Sequence, residues 1–494
     1  MGLEIDRTDF DADDRRLFSE RLACSLDVLG ELLERPGFGE GPMSLGAELE
    51  VSLVDDRGRP RLRNVEVLEA SGDPRLTTEL DRFNLEANMR HGPLAGPSFS
   101  RLIDECIECL EEIERAAADA GARVAMVGIL PTLRSEDLAP DSMTESLRYE
   151  ALSRSLRQLR EEPFLLDIHG EDDLRLAVED VTYEGAATSF QVHLRVSPRD
   201  FPAVYDAIQL ASAAVLAISG NSPLFLGRRL WHETRIALFK QAVDHRAERG
   251  TLGRDARVSF GHTWTSSPLD LFAESVEGHA PLLPVLDHED PRDAAAGGGT
   301  PRLRELRLHQ GTVWRWNRAI YDHAEGGHLR IELRALPAGP TVRDMAANAA
   351  FHIGLALDLA RTADEWRADT DFETVHGDFY RAAREGVGAE IHWPRPLGGT
   401  GEATPIAHLM PDLLSRASAG CAAAGIDASD LQPLFEGLEA RVAHGRTGAS
   451  WQLDALARAE RNRSRDEAIE AMFTGYLDRS RDGTPVHLWT DFHE

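Results

Sequence analysis

Four short segments of the chain alternate apolar and polar residues with a period of two. Their polar positions carry acids, amides, arginines and one histidine. In residues 45–54, Ala47, Leu49, Val51 and Leu53 stand on one side and Glu48, Glu50 and Ser52 on the other. In 83–88, Phe83, Leu85 and Ala87 oppose Asn84, Glu86 and Asn88. In 190–196, Phe190, Val192, Leu194 and Val196 oppose Gln191, His193 and Arg195; in 329–336, Arg330, Glu332 and Arg334 share a face. A period of two marks a strand, because successive side chains leave a pleated chain on opposite sides. The water-facing side of an ordinary antiparallel sheet alternates in the same way. Any functional argument therefore rests on what the polar face contains.

Helices surround these strands. Leu17, Leu22, Leu26, Leu29 and Leu33 recur at helical spacing in 12–35, and Leu102, Cys106, Cys109 and Ile113 share a face in 98–120. Residues 201–219, 229–247 and 341–360 read as helices, the first ended by Gly220-Asn221-Ser222-Pro223. Residues 124–130 read as a buried strand and 281–301 as the main internal loop. From about 405 onward the pattern is helical and alanine-rich. The expected class is α+β, with a catalytic domain over 1–400 and a helical extension over 401–494 packed on it.

Charge narrows the partners. Acids outnumber bases 84 to 54, a net charge of −30. Such a chain repels nucleic acid and anionic membrane surfaces overall. The longest apolar stretch, 208–218, is short for a bilayer span and contains Gln209 and Ser212. Four cysteines in 494 residues make no disulfide framework. A soluble, reducing, cytoplasmic setting is expected, and a homo-oligomer is compatible with the sequence.

The polar face holds little Lys, Thr or Ser. Carboxylates facing one cavity repel one another unless cations lie between them. Mg²⁺ takes oxygen ligands and usually bridges nucleotide phosphates, and arginine grips phosphate or carboxylate through two donors. A cup lined by Glu48, Glu50, Glu79, Glu86, His193 and Glu332, edged by Arg330 and Arg334, reads as a multi-metal ATP site. No Gly-x-x-x-x-Gly-Lys-Ser/Thr loop and no Gly-x-Ser-x-Gly elbow occurs.

Five of these pieces, in order, resemble one family. Gly46-Ala47-Glu48-Leu49-Glu50 looks like the opening Gly-x-Glu-x-Glu strand of the glutamate–cysteine ligases and related carboxylate–amine ligases. Thr77-Thr78-Glu79 with Glu86 resembles the family's next acidic pair, and Gln191-Val192-His193 its Gln/His-Val-His strand. Ser219-Gly220-Asn221-Ser222-Pro223 is similar to its Ser-Ala-Asn-Ser-Pro helix end, and 329–334 to its late Glu-x-Arg strand.

The resemblance implies a glutamine synthetase-like fold: a curved, mostly antiparallel sheet flanked by helices, with the site in its concave face. It implies ATP-dependent amide formation, in which a carboxylate, typically the side-chain carboxylate of L-glutamate, attacks the γ-phosphate of ATP. An amine, cysteine by default, then attacks the acyl phosphate, as in glutathione biosynthesis. Two or three Mg²⁺ ions would be held by Glu48, Glu50, Glu79, Glu86, His193 and Glu332. Arg334 and Arg330 would stabilise the transferring phosphoryl group. Arg235, with His193, is a candidate for holding substrate, and Trp314 or Trp316 for stacking on adenine. The chain is longer than the compact bacterial members, mainly after 360, and 309–318 resembles a subgroup of long members.

Other readings stay open. A guanidino kinase of the same superfamily would pass phosphate to a guanidine without forming an amide. A non-catalytic relative would bind ATP or an amino acid without turnover, and a metal-dependent hydrolase would need no nucleotide. Cys106 and Cys109 form a Cys-x-x-Cys on an apolar helix face with no second ligand pair, so they read as core rather than zinc ligands. Trp314 and Trp316 equally suit a packed edge. Lys240, the single lysine, reads as a solvated or snorkelling base.

Overall fold

The computed structural model describes residues 3, 5–160, 162–246 and 256–492. Its centre is a seven-stranded sheet. The strands are β1 (Ser44–Val54), β2 (Leu76–Thr78), β3 (Asn84–Pro93), β4 (Arg123–Ala125), β5 (Phe190–Val196), β6 (Asn317–Asp322) and β7 (His328–Leu333). Their order is β6-β7-β5-β1-β3-β2, and β4 pairs with the end of β1 at Ser52–Val54. Every pairing is antiparallel. The period-two segments supply four of these strands.

The apolar side of the sheet is sealed. Leu49, Val51, Leu85, Ala87, Val192, Leu194, Leu329 and Ile331 have essentially no exposure. Helices α2 (Ser98–Asp119), α3 (Phe201–Ser219) and α4 (Val342–Ala360) back it, with α2 against β1 and β3 and with α3 against α4, whereas α1 (Ala12–Leu33) packs on the short helices Pro268–Gly278, Pro291–Ala295 and Arg304–Gln310. Helix α3 is long and apolar enough by composition to cross a membrane. It is 89 % buried inside the protein, where it serves as a core helix.

The C-terminal part is helical, as its pattern predicts: α5 (Ile406–Ala423), α6 (Ala428–Ala443), α7 (Gly448–Ala459) and α8 (Arg465–Arg481). Helix α5 packs on α4. Arg441 of α6 is buried and donates to Asp344 Oδ1 at 2.7 Å and to the Ile218 carbonyl at 3.2 Å. One buried guanidinium thus ties α6 to both core helices.

Several boundaries differ from the sequence expectation. Of the 124–130 segment only Val124 and Ala125 pair in a strand, β4, because β4 meets just the last three residues of β1. Helix appears at Thr234–Ala242 rather than across 229–247. The expected loop at 281–301 contains the short helix Pro291–Ala295, capped by Asp290. Strand β7 stops at Leu333, short of 336. A hairpin of Phe164–His169 and Asp173–Val178 and the strand β6 lack an expectation from the sequence.

Candidate active site

Register brings the polar positions together. Glu50 lies opposite Glu86, Glu48 opposite Asn88 on one side and Gln191 on the other, and His193 opposite Glu332. All these side chains leave one face of the sheet, since a strand alternates strictly. Gly46 pairs with His193 and carries no side chain of its own. Glu79 sits one residue beyond β2, where the turn into β3 begins.

The six sequence-predicted ligands fall into two separate groups. Glu48, His193 and Glu332 bring one potential ligand atom each to within 4.8 Å of one another, and so do Glu50, Glu79 and Glu86. In the first group His193 Nε2 lies 3.1 Å from Glu48 Oε1 and 3.9 Å from Glu332 Oε1. It is buried, and neither contact is aligned as a hydrogen bond. In the second group Glu50 accepts from the Ser189 N–H at 2.6 Å and from Gln191 Nε2 at 2.7 Å. Glu86 accepts from Asn88 Nδ2 at 2.8 Å. Carboxylate oxygens converging this closely suit hard divalent cations such as Mg²⁺, and the imidazole in the first group also admits a borderline ion.

The two groups differ electrostatically. Burial alone would raise every carboxyl here. In the first group the arginines win at Glu332, where Arg318 and Arg334 hold the carboxyl well below its ordinary range. In the second group burial is reinforced by like charge. Glu86 is pushed up to about 7 by burial and by Glu48 and Glu50. Glu79 is pushed well above its usual range by burial, Glu86, Glu50 and Glu184. Burial also pushes Glu184, on the wall helix Thr182–Gly185, up to about 8, with Glu50 adding to it. Arg334 and Arg235 act on Glu50, yet burial still holds it above its ordinary range, so positive charge reaches the second group too weakly to offset burial and like charge, and a bound cation would supply more.

The arginines divide by role. Arg334 donates to Gln191 and, at 3.0 Å, to Glu332 Oε2. Arg330 stands at the rim, with Nε 3.2 Å from His193 Nδ1 and Nη1 2.6 Å from Asp322 Oδ2. Arg318 of β6 grips Glu332 through two parallel bonds. Arg235, a substrate candidate from the sequence, is buried instead. Its three guanidinium nitrogens meet Glu233 and the carbonyls of Arg334 and Ala335.

Two cavities open on the first group. One, of about 220 Å³, is lined by Glu48, Asn88, His193, Arg195 and Arg330 among others. The other, of about 90 Å³, is lined by Glu48, Glu332, Arg318, Arg330, Phe272 and Leu306 among others. Trp314 and Trp316 line neither. Both are buried and pack on Phe239, each with its ring centroid 5.9 Å away, so they form a packed edge. Lys240 is not free in solvent: it donates to the Tyr380 hydroxyl at 3.0 Å and lies over that ring. Cys106 and Cys109 are buried free thiols. Sequence reading missed Arg318, Asp322 and Glu184. The first two could have been found, since Arg318 and Asp322 alternate with Ala319 and Tyr321 in a period-two run.

The sheet, its helical backing and a carboxylate-lined face define a glutamine synthetase-like ligase fold. The glutamate–cysteine ligase of Francisella tularensis, solved in complex with AMP, shares it at a TM-score of 0.53 and 11 % identity over 90 % of each chain. A bifunctional glutathione synthetase from Pasteurella multocida aligns at a TM-score of 0.48 and 10 % identity, over 93 % of this chain and 55 % of its own. No curated protein sequence matches the chain. The model of glutamate–cysteine ligase family 2 matches residues 44–475. The chain belongs to that family, and with it to the ATP-dependent carboxylate–amine ligases.

Proposed function

We propose that the protein joins the side-chain carboxylate of L-glutamate to an amine at the expense of ATP, with cysteine as the default acceptor. One observation carries this reading: two three-residue donor groups lie side by side on a single sheet face, with Arg334 and Arg330 beside them. Glu48, His193 and Glu332 would hold one Mg²⁺, and Glu50, Glu79 and Glu86 another. When bound, Mg²⁺ would neutralise charge on the phosphates and screen the carboxylates from one another. Arg334, with Arg330 at the rim, would stabilise the phosphoryl group as it moves from ATP to the glutamate carboxylate. The side-chain carboxylate displaces ADP, and the amine then displaces phosphate from the acyl phosphate. Burial of the acidic face keeps water from that intermediate.

Phosphate release from Mg-ATP tests the reading, with L-glutamate and a panel of amines, at low and high KCl, and with products weighed by mass spectrometry. The expected result is phosphate release that needs glutamate and one amine, with a matching dehydrated conjugate. A phosphorylated acceptor without free phosphate would instead make the protein a guanidino-type kinase. Nucleotide binding without turnover would make it a non-catalytic binder.

A further inference from the structure

Arg334 lies one residue beyond the end of β7, where the strand ladder no longer serves its backbone. Buried backbone groups need partners, and two non-ladder groups supply them. The Arg334 N–H donates to the Trp316 carbonyl at 2.9 Å. The Arg334 carbonyl accepts from Arg235 Nη1 at 3.3 Å, and Arg235 Nη2 donates to the next carbonyl, that of Ala335. Arg235 is itself fixed: Nε donates to Glu233 Oε1 at 3.1 Å, and the guanidinium lies 5.7 Å from the Trp316 ring centre.

The chain of contacts continues outward. Glu233, fully buried, also accepts from the Asn221 N–H and the Ser222 hydroxyl, each at 2.8 Å. Asn221 Nδ2 donates to the Ala338 carbonyl at 2.7 Å and to the Tyr476 hydroxyl of α8 at 2.8 Å. Hydrogen bonds thus run from a C-terminal helix, through one buried ion pair, to the backbone of an arginine on the acidic face. A buried ion pair is weak evidence for stability, because desolvation offsets its attraction. Its geometry is better matched to holding a backbone in register.

We infer that Glu233 and Arg235 are positioning residues that set the place of Arg334, and that Arg235 does not contact a substrate carboxylate. The inference rests on the ligase reading above, in which Arg334 faces the transferring phosphoryl group. Both members of the pair act on the backbone of 334–335, so their loss moves the Arg334 side chain without removing it. Mispositioning of a group that acts in the transition state lowers kcat and leaves ground-state binding of glutamate intact.

A double-mutant cycle on the full-length protein tests this, using Arg235→Met, Arg334→Met and their combination, read as glutamate-dependent phosphate release. Arg235→Met is expected to lower kcat about 10–100-fold, as loss of an orienting partner typically does, and Arg334→Met about 100–1000-fold, as loss of a transition-state donor does, each with KM for glutamate nearly unchanged. Arg235→Met is expected to add nothing in the Arg334→Met background. Arg235→Lys, which keeps the charge and one donor direction, should restore part of the rate. If Arg235→Met does not fold, Glu233→Gln with Arg235→Met removes both charges and replaces it in the cycle. A raised KM for glutamate with unchanged kcat would return Arg235 to the substrate, and additive effects would show that it acts elsewhere. Either overturns the inference alone. A wild-type protein that neither turns over nor binds Mg-ATP overturns the ligase reading itself, and the inference with it.

Discussion

Arg318 holds Glu332 across the β6–β7 pair with two arms of its guanidinium, Nε to Oε2 at 2.7 Å and Nη2 to Oε1 at 2.9 Å. A paired Arg–carboxylate fork of this kind fixes both the charge and the direction of the carboxylate. In the proposed site it aims a metal ligand. Arg318→Lys, which cannot form the fork, is expected to weaken Mg²⁺ affinity and lower turnover about 10–100-fold, the usual cost of losing a group that orients a ligand. Mg²⁺ titration followed by thermal shift, alongside phosphate release, reads both effects.

The two acidic groups should respond oppositely to neutralisation. Glu332→Gln takes the carboxylate from two half-buried arginines, Arg318 and Arg334, and is expected to cost about 1–3 kcal/mol of stability. Glu79→Gln removes like-charge repulsion with Glu86 and Glu50, so the metal-free variant should unfold at the same temperature as wild type or higher. Both changes should abolish turnover. Urea denaturation in EDTA separates them, and equal destabilisation by both would contradict the assigned charge balance.

Glu86 gives the pH dependence a sign. In the folded, metal-free protein its carboxyl sits near 7, against 4.5 ordinarily. Between those values the folded state keeps a proton that the unfolded chain has lost. Metal-free stability should therefore fall as pH rises from about 4.5 to 7, by up to about 3 kcal/mol. Mg²⁺ competes with that same proton, so its apparent affinity should climb over the same range and binding should release protons. Melting curves from pH 5 to 8, with and without Mg²⁺, check both slopes.

Arg441 predicts how the C-terminal helices are attached. Its guanidinium is buried against Asp344, Asn348 and the Ile218 carbonyl. Arg441→Met leaves Asp344 charged and buried, and should cost about 3–5 kcal/mol. Limited proteolysis should then cut within 406–481 before it cuts the sheet.

The thiols should divide by burial. Burial pushes Cys109 up to about 11 and Cys421 up to about 12, and raises Cys106 as well. Only the half-buried Cys24 is expected to react with iodoacetamide near pH 8. Zinc retained at Cys106 and Cys109 through dialysis would contradict the packing role.

Much of the site was legible because its signal is local. Period-two alternation exposes a polar face wherever a strand is half buried, and Glu48, Glu50, Glu86, His193, Arg330 and Glu332 all declare themselves in this way. Arg318 does so only once 317–322 is read as a period-two strand, and Glu184 does not, since a single glutamate outside a strand looks like any surface charge. Arg235 misleads for the same reason. Its sequence context, after Asn221-Ser222-Pro223, says nothing of the carbonyls that its nitrogens meet about 100 residues away.

By itself the sequence determined which residues face the acidic side, the helical character of both ends, and the family. Those follow from side-chain chemistry at fixed local spacing, which every turn or pleat reads out directly. Tertiary structure alone decided how the six candidate ligands split into two groups, because strand register pairs Glu50 with Glu86 and His193 with Glu332. It also decided which carboxyl arginines hold low, as at Glu332, and which burial and like charge push up, as at Glu86 and Glu79. Charge balance at a buried point depends on every element that meets there, and no one segment of the chain contains that sum.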